Sequence, residues 1–534
     1  MAAQQNTIRT ALPAEIKKAD IFSNEDQTKK VDLRGGLLRL QYFESILQDT
    51  IRVTLIYADS GSTIAKKGDD KLVSAIEGLP IVGQERVELT FIDNNENEIK
   101  FSKEGKNSLY VNKFSPVTND TTRSMVMLDL VSKEYILNEK MRLNTRFDGQ
   151  ISDHVTGILT KQKIGKDTPK EREQNYLNTE KELFIEKTTG DYSFCGNNWK
   201  PFYTMNWLSK KAVPGGGKDR DERNGKEGDD GALGNSAGYF LWETAKGFHF
   251  RSIEWLMDKE MNPKKKSIIY NDTGDDGGEK IPAGYDIKAL SMEKSNPLNI
   301  QKKLMMGAFS TRTIVFNPFN CIYEVITPNA YGDKKTRASQ DKLKLAGGKL
   351  PVMNPEFNMD ERDGAKGEKK GTTPTAPAGT GNSKKDATKG EISKSKEFSR
   401  TQYMFLDYGT LIADGDKDPN KWADGARKQL EKSQTHQNFE IKDILNQSSM
   451  RYNQLFSNKI SVTIPGDFSL HAGDSIFFDG PELTSDDKKD TIDKKDGGLY
   501  IIADICHYST SKETYTKMNL VRDSIERKGT ATGG

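Results

Sequence analysis

The chain has 534 residues and a mass of 59.9 kDa, with 34% hydrophobic residues, 30% charged residues and a mean hydropathy of −0.74. This length predicts about three or four domains, and the polar composition predicts a globular chain that carries long solvated segments. The 80 basic and 78 acidic residues leave a net charge of +2, which argues against a dedicated nucleic-acid-binding protein.

The three cysteines, Cys195, Cys321 and Cys506, lie more than a hundred residues apart, and the sequence contains no CxxC pair. Such isolated thiols do not form a disulfide framework, so we expect assembly in a reducing cytoplasm. The N-terminal MAAQQNTIRT has no apolar core, and no run approaches about 18 apolar residues. We therefore expect neither a secretory signal nor a membrane span, and any role outside the cell would need release with a particle or export by other means.

The first part of the chain is predicted to be all-β. Residues 1–30 are polar and predict an N-terminal arm. Residues 31–139 alternate between apolar and polar positions in segments separated by short polar turns, as expected for half-buried strands. The segments are VDLRGGLLRLQYF, TIRVTLIYAD, ERVELTFID, SLYVNKF and SMVMLDLVS. A small antiparallel barrel would remove the exposed edges of such a sheet.

Residues 140–284 change character and predict an α/β insertion domain. KPFYTMNWLSKKAVP at 200–214 has apolar residues at helical spacing and a proline beyond them, which predicts a helix. GYFLWETAKGFHFRSIEWLM at 238–257 predicts a strand, a turn at Lys246–Gly247, a second strand and a short helix. LFIEKTTG at 183–190 is a further candidate strand.

A second barrel is predicted to begin at 285–330, with TRTIVFN and CIYEVIT as strands, and to continue at 445–525. Between them, 331–444 is a loop-rich insertion whose residues 359–398 are of low complexity and too polar to offset their ordering entropy. That stretch is either a mobile surface loop or an arm that orders against a neighbouring chain, and 526–534 is predicted to be a flexible tail. The fold class is mainly β (α+β), with two antiparallel β-barrels in one chain, an α/β region between them and a long loop-rich insertion.

The two β blocks repeat one order of patterns, which suggests an internal duplication. Gly83 precedes one strand and Gly473 another, and each is followed 26 residues later by a similar segment, Leu109-Tyr110-Val111 or Leu499-Tyr500-Ile501. Met127–Val131 and Met518–Val521 end the two blocks. The alternative is that two unrelated antiparallel sheets share their turn chemistry.

Motifs for catalysis or metal binding are largely absent. The histidines stand at no zinc-ligand spacing, and His249 and His507 lie in apolar strand-like runs where a hydrogen-bonded structural histidine is expected. The five are His154, His249, His436, His471 and His507. No GxxxxGK[ST] phosphate loop or GxSxG elbow is present.

One acidic segment resembles a calcium-binding loop, because Asp414, Asp416 and Asp418 fit the first three ligand positions. Pro419 stands at the turn position and Gly425 replaces the bidentate glutamate, so a solvated acidic turn is expected instead. We therefore predict no catalytic, cofactor-binding or metal-binding residue and no cofactor.

The order of the blocks resembles the central hub protein of contractile-tailed phage baseplates, the T4-type hub, whose architecture type VI secretion spike hubs share. The resemblance rests on phrases that together cover most of 30–330 and 445–525. They are QYFESILQDTIRVTLIYAD, LPIVGQERVELTF, MVMLDLVSKEYILNEKMRLNTRFDGQISDHVTGIL, LFIEKTTGDYSFCGNNWKPFYTMNWLSKKAVP, GYFLWETAKGFHFRSIEWL, ISVTIPGDFSLHAGDSIFFD and GLYIIADICHY…YTKMNLVRDS. The 331–440 insertion looks longer than the family needs.

This resemblance implies a non-enzymatic structural protein that forms a homotrimeric ring. The two barrels would be tail-tube-like. The ring would adapt the sixfold tail tube to the threefold central spike, with these barrels alternating around a lumen through which phage DNA passes non-specifically. The implied partners are the central spike protein, the tail tube or tube-initiator protein and the baseplate wedge proteins, with no membrane. The implied location is the virion tail baseplate, after assembly in the host cytoplasm.

Two alternatives remain. One is a tail-associated cell-wall hydrolase with a carboxylate pair in 140–285, since 78 acidic residues offer many pairs. The other is the hub of a type VI or related contractile injection system spike. Turnover of a glycan would distinguish the first, and neighbouring tube, sheath and capsid genes the second.

Overall fold

A computed structural model provides the fold of most of the chain. The described residues are 11–61, 64–65, 72–119, 124–147, 149–163, 173–215, 236–270, 281, 283–294, 300–308, 311–317, 322–326, 343–350, 400–405, 441–481, 492–493 and 496–531. The low-complexity stretch 359–398, the calcium-like loop at 414–425, Cys321 and His436 lie outside them.

The first β block forms a barrel. Its strands are β1 (Glu15–Phe22), β2 (Lys30–Asp32), β3 (Leu37–Ser45), β4 (Arg52–Asp59), β7 (Arg86–Ile92), β8 (Glu98–Phe101), β9 (Leu109–Asn119) and β10 (Ser124–Ser132). The segment between β4 and β7 contains β5 (Ile64–Ala65), β6 (Leu72–Val73) and the short helix α1 (Ala75–Gly78). The pattern in β4 is strictly alternating, so every second side chain enters the barrel core while the others face outward.

The main strands of this barrel follow the order β1, β2–β3, β4, β10, β9 and β7, and β7 pairs again with β1. The barrel closes because one chain segment changes neighbours. Its first part, β2, pairs with β1, and its second part, β3, pairs with β4 after a 3-10 turn at Arg34–Gly36.

The middle region combines helices with small sheets. It contains α2 (Lys133–Lys140), β11 (Arg146–Phe147), α3 (Ile151–Leu159), β12 (Lys161–Lys163), β13 (Glu173–Asn175), β14 (Glu182–Ile185), β15 (Phe194–Cys195), α4 (Pro201–Ser209), β16 (Tyr239–Thr244), β17 (Gly247–Ser252) and α5 (Ile253–Met257). The helix predicted at 200–214 is confirmed as α4, with Pro201 in its first turn. The predicted strand, turn, strand and helix at 238–257 are confirmed as β16, β17 and α5.

The second barrel is assembled from segments far apart in sequence. Its strands are β18 (Ser267–Ile269), β19 (Ile287–Lys288), β20 (Ser291–Lys294), β24 (Asn458–Pro465), β25 (Ser475–Asp479), β26 (Gly498–Thr510) and β27 (Thr514–Arg522). Between β20 and β24 lie α6 (Ile300–Met306), β21 (Thr311–Asn317), β22 (Ile322–Ile326), β23 (Arg400–Phe405) and α7 (Ile441–Leu455).

The second barrel has the same cyclic order of neighbours as the first. Its strands follow β18, β19–β20, β24, β27, β26 and β25, and β25 pairs again with β18. It also closes through one segment that changes neighbours, because the Ala289 N–H donates to Ile269 O and the Leu290 N–H donates to Thr463 O, both at 2.8 Å. The predicted mainly β fold with two barrels is confirmed, and the shared order supports an internal duplication.

Hydrogen bonds fix which residues of the two barrels are equivalent. In the first barrel the Gln84 N–H donates to Val111 O, and the Val111 N–H donates to Glu85 O. In the second barrel the Gly473 N–H donates to Ile502 O, and the Ile502 N–H donates to Asp474 O. Gly473 is thus equivalent to Gln84 rather than to Gly83. The 26-residue spacing that the two blocks share in sequence therefore does not join structurally equivalent residues.

The three largest hydrophobic cores among the described residues lie in the two barrels and in the middle region. One fills the first barrel, and a second fills the second barrel together with side chains from β16 and α5. The third lies in the middle region and includes Val315 of β21, with Met404 and Leu445 packed against it. The middle region is therefore packed against the second barrel and against the small sheet inserted in it.

Several predicted boundaries differ from the structure. Glu15–Phe22, predicted within an arm, pairs with β7, and its polar pattern reflects lysines that bind carboxylates, such as Lys18 to Glu88 at 2.5 Å. β18, inside the predicted α/β insertion, belongs to the second barrel, whereas β21 and β22 pair with β23 in a separate sheet. The helix α7 crosses the predicted boundary at 444/445.

The predicted flexible tail at 526–534 also differs, because the residues described to 531 pack on the second barrel. The Arg527 guanidinium donates to Asp479 at 2.9 Å, and the Ser267 hydroxyl donates to Ala531 O at 3.0 Å.

Candidate functional site

The two barrels are joined edge to edge by one strand pair. Asp504–Thr510 of β26 pairs antiparallel with Arg39–Ser45 of β3. The long β26 thereby pairs with β25 through its first residues and with the other barrel through its last ones. The junction produces one continuous sheet in the order β9, β10, β4, β3, β26, β27, β24 and β20.

A loop of the second barrel wedges into the first. Phe468, in the turn after β24, is buried in the first barrel's core, with its ring 5.0 Å from that of Phe91. Its N–H donates to the Asp93 carboxylate at 2.8 Å. The loop is also held from the middle region, because the Trp242 indole donates to Ala472 O at 3.0 Å. Strand pairing and side-chain insertion together make the junction a packed interface.

Glu44 of β3 is the buried polar centre of this junction. Its carboxylate accepts from the Ala472 N–H at 2.8 Å and the Ala245 N–H at 3.0 Å, and it contacts His471 Nδ1 at 3.0 Å and the Tyr42 hydroxyl. Burial alone would raise the pKa of Glu44, but the His471 charge and these hydrogen bonds outweigh it and lower the pKa to about 2. Glu44 therefore joins both barrels and the middle region as a carboxylate.

The outward face of the continuous sheet forms a groove of about 800 Å³ that both barrels line. Equivalent residues of the two barrels form equivalent hydrogen bonds on this face. The Thr54 hydroxyl donates to Asp129 at 3.0 Å in the first barrel, and the Ser461 hydroxyl donates to Asn519 Oδ1 at 2.7 Å in the second. Both pairs join the strands β4 and β10 or their counterparts β24 and β27.

A hydrogen-bonded bridge crosses from one barrel to the other inside the groove. The Ser45 hydroxyl donates to Asp504 at 2.6 Å, and the Asn519 amide donates to the other oxygen of Asp504 at 3.0 Å. The groove is thus continuous across both barrels and not a pocket of one barrel.

The groove has no excess of positive charge. Arg52 and Lys517 line it together with the carboxylates of Asp129, Glu293 and Asp504, and with Glu44, which is paired with His471. A face that holds nucleic acid tightly carries an excess of cationic side chains that neutralise phosphates. This groove lacks that excess, so its chemistry suits contact with polar or charged material without tight retention.

The middle region contains two groups of buried carboxylates, the places where a hydrolase would have its acid and base. Lys181 lies between Glu134 at 2.7 Å and Glu243 at 2.5 Å, and all three side chains are at most 4% exposed. Burial would lower the pKa of Lys181, but the two carboxylates outweigh it and raise that pKa. These residues form a closed ion cluster that a substrate does not reach.

The second group contains Glu186 and Glu254. Glu186 accepts from the Ser252 N–H at 2.7 Å, and Glu254 accepts from the Ser236 N–H at 2.8 Å. Burial raises the pKa of Glu254 to about 7. Both side chains are buried, so their hydrogen bonds fix local structure instead of facing a cleft.

The histidines singled out by the sequence have structural partners. His249 stacks on Trp242 with ring centroids 5.0 Å apart, and burial lowers its pKa to about 3. His507 contacts Thr516 Oγ1 at 3.0 Å and Leu470 O at 3.1 Å, and burial lowers its pKa to about 4. The structure thus places both in packed strands, as expected from the sequence.

Among the described residues, no group of three or more His, Cys, Asp or Glu side chains could hold a metal ion. Within the same residues, no helix is long and apolar enough to cross a membrane.

Sequence analysis missed Glu44, Phe468 and Asp504, which make the junction. Glu44 was visible as an acidic residue inside the apolar run LQYFESI, and Phe468 as an apolar residue in the polar turn PGDFSL. Neither pattern indicates its distant partner, which lies 427 residues away for Glu44 and 375 residues away for Phe468.

Comparison with known proteins found no matching family model and no matching curated protein. Solved structures of phage tail proteins are similar to the chain. The 43 kDa tail protein of prophage MuSo2 from Shewanella oneidensis has a TM-score of 0.38 at 9% identity, covering 95% of this chain and 98% of that one. A tail protein from Neisseria meningitidis MC58 has a TM-score of 0.40 at 7% identity, covering 95% and 96%.

A type VI secretion system component from E. coli, described as structurally similar to T4 bacteriophage tail proteins, has a TM-score of 0.35 at 7% identity and covers 98% of this chain and 78% of that one. At these TM-scores the resemblance carries no argument about the role of this chain. That role has to come from its own strand pairing and groove.

Proposed function

We propose that the protein is a structural, non-enzymatic hub of a phage tail baseplate, in which three copies form a ring. The observation that carries this proposal is the pair of barrels with one cyclic strand order, joined edge to edge in a single continuous sheet. Three copies of a two-barrel chain present six similar barrels around a threefold axis. Such a ring can match a sixfold tail tube on one side and a threefold spike on the other.

The groove supports the proposal that this face of the continuous sheet is the inner surface of the ring. It lies on the face of the sheet opposite the barrel cores and is lined by equivalent polar residues of both barrels, including Asp129 and Asn519. In the proposed ring this face lines the lumen, and duplex DNA passes along it. The four carboxylates that line the groove beside Arg52 and Lys517 support passage, because a strongly basic lumen would retain the DNA.

The non-enzymatic part of the proposal rests on the two buried carboxylate groups. Lys181 forms ion pairs with both carboxylates of one group, and Glu186 and Glu254 accept hydrogen bonds from backbone N–H groups. We expect the purified full-length chain to release no products from peptidoglycan. Reproducible turnover that Glu254→Gln abolishes, with the fold retained by circular dichroism, would support the hydrolase instead.

Native mass spectrometry of the full-length chain tests the ring. We expect a homotrimer that binds a trimeric spike protein at one face and tube protein at the other. A stable hexamer of this chain would contradict the proposal, since twelve barrels do not match a sixfold tube. Neighbouring capsid genes would assign the hub to a phage, and their absence beside tube and sheath genes would assign it to an injection system.

A further inference from the structure

The small sheet inserted in the second barrel is covered by a helix on one side. Its strands lie in the order β22, β21 and β23. On the covered side, Thr311, Thr313 and Val315 of β21 are at most 2% exposed. The helix α7 packs here, and the Gln402 amide of β23 donates to the Ser449 hydroxyl of α7 at 3.1 Å. Successive side chains of a strand point to opposite faces, so every second residue of these strands lies on the other side.

The other side of the sheet is an exposed surface that we call the apolar face. The strand registers place six side chains there in two rows across the sheet, Tyr323, Phe316 and Phe405 in one row and Val325, Ile314 and Tyr403 in the next. Tyr323, Tyr403 and Phe405 are 68%, 78% and 71% exposed. The rings of Phe316 and Phe405 pack edge to face with their centroids 5.9 Å apart, so side chains of neighbouring strands form one surface. Contiguous exposed apolar surfaces of this kind mark interaction sites.

The apolar face carries larger side chains than the covered side. On β21 the covered side has two threonines and Val315, whereas the apolar face has Ile314 and Phe316. A sheet with apolar residues on both faces is normally packed between two layers, such as helices. The described residues of this chain supply α7 for one side and leave the other side exposed. The second layer therefore comes from outside the described residues.

The dimensions of the apolar face match one helix. The outer strands of a three-stranded sheet lie about 10 Å apart, and the residues from Arg312 to Phe316 span about 13 Å along β21. A helix with its side chains is about 10–12 Å wide. An amphipathic helix presents an apolar stripe along one side, which suits such a surface. The packing of α7 on the covered side shows that this sheet accepts a helix.

The end of the sheet where β21 and β23 begin is positively charged. Arg312 lies on the same side of β21 as Ile314, and Arg400 is exposed at the start of β23. The exposed Met305 of α6 is close to this end, because the Arg400 guanidinium donates to Met306 O at 3.0 Å. Complementary charge directs which partner binds a surface. The arginines therefore favour a helix that carries carboxylates beside its apolar stripe over a basic helix.

We propose that the apolar face binds an amphipathic helix of another protein. The apolar stripe of that helix covers the two rows of side chains, and its carboxylates lie towards Arg312 and Arg400. The small sheet is then packed between two helices, α7 and the helix of the partner. The lining of the groove contains none of the six residues of the apolar face, so the helix binds away from the groove. The inference therefore does not depend on the number of chains in the proposed ring.

Fluorescence anisotropy with synthetic peptides and the purified full-length chain tests the chemistry of the partner. The probe is a labelled peptide of about five helical turns, with leucine and phenylalanine along one side and glutamates beside them at one end. A second peptide has lysines in place of the glutamates, and a third has the residues of the probe in scrambled order. We expect the probe to bind at least about tenfold more tightly than the scrambled peptide, and the lysine peptide to bind more weakly than the probe. Equal affinities for the probe and the scrambled peptide would overturn the proposal.

Substitutions in the chain test where the probe binds. Tyr403→Asp with Phe405→Asp should abolish binding, because the helix would bury two unpaired charges, while the thermal melting of the chain stays unchanged since both side chains are exposed. Arg400→Glu should weaken the binding of the probe and strengthen that of the lysine peptide. The matched control is Tyr203→Asp, at a tyrosine of α4 that is 58% exposed, and it should bind the probe as the parent does. Undiminished binding by the double variant, or an equal loss in the control, would place the site elsewhere and contradict the proposal.

Photo-crosslinking in the native host cell tests which molecule covers the apolar face. The photoreactive p-benzoylphenylalanine replaces Tyr403, or Tyr203 as the control, and mass spectrometry identifies the crosslinked segment. We expect Tyr403 alone to crosslink to a segment of another protein that has apolar residues at helical spacing and carboxylates beside them. Crosslinks within the same chain, crosslinks to a second copy of it, or no crosslink at Tyr403 would each overturn the proposal and leave the ring untouched.

Discussion

The two barrels share five strand positions and differ at the sixth, and the difference identifies the duplicated unit. The sixth position is filled by β1 in the first barrel and by β18 in the second. β1 runs antiparallel to both neighbours, whereas β18 runs parallel to both. The other strands agree in order and direction. The unit that repeats is therefore the run from β2 to β10, and each copy closes its barrel with a different segment of chain.

A β-bulge supports this conclusion. In β9, Asn112 is the extra residue between the residues that pair with Leu130 and Asp129 of β10. In β26, Ala503 is the extra residue between those that pair with the equivalent Leu520 and Asn519 of β27. Bulges are retained because they change the direction of a strand. Here each bulge lies where the strand leaves its own barrel, so both barrels have the geometry that the junction uses.

The largest expected effect compares the two loop glycines. Gly473 has a φ of +89° and a Cβ there would lie 2.6 Å from Trp242 Cζ2, whereas Gly83 has a φ of +112° and a Cβ there meets nothing within 4 Å among the described atoms. Gly473→Val adds a clash of about 1–3 kcal/mol to a similar backbone strain. We expect Gly473→Val to lower the melting temperature clearly more than Gly83→Val. Equal melting temperatures would contradict the turn geometry.

Removing the Phe468 side chain should weaken the packing at the junction. Phe468→Ala leaves a cavity in the first barrel's core and should cost about 3 kcal/mol in the free energy of unfolding. Because the residue belongs to the second barrel's chain segment, both barrels should lose protection in hydrogen exchange. Loss confined to the second barrel would mean that the wedge does not couple them.

The pH dependence of Glu254 sharpens the contrast between the barrels and the middle region. Its pKa of about 7 exceeds the usual 4.5. Its contribution to the free energy of unfolding is therefore fully present below pH 4.5 and is lost as the pH rises through 7. In urea titrations, Glu254→Gln should stabilise the chain by about 2–3 kcal/mol at pH 8 and by little at pH 4. Glu182→Gln, at an exposed position, is the control. A Glu254→Gln effect independent of pH would contradict the assigned shift.

The smallest effects lie in the groove. Asp129→Asn gives the first barrel the residue that the second has at Asn519, and we expect a change within about 0.5 kcal/mol. Asp504→Ala removes the bridge to Ser45 and Asn519 and should cost about 1 kcal/mol. Thermal melting compares the two. A larger loss for Asp129→Asn would break the equivalence of the two hydrogen-bonded pairs.

The sequence predicted the parts that local patterns control. Alternation identified β4, β24 and β27, and helical spacing before Pro214 identified α4. It missed β1 because salt-bridged lysines hide the alternation, and it missed β18 because three residues carry no period. It assigned β21 and β22 to the second barrel, since a strand pattern does not name its partner. The junction was out of reach for the same reason, because Glu44 and His471 meet only through the fold.

Averaged electron-microscope images of the full-length chain test the central claim most directly. The account predicts a threefold ring with six lobes at one height, in which the two barrels of each chain alternate around an open lumen. A ring whose two kinds of barrel lie at different heights, or an assembly without six similar lobes, would contradict it.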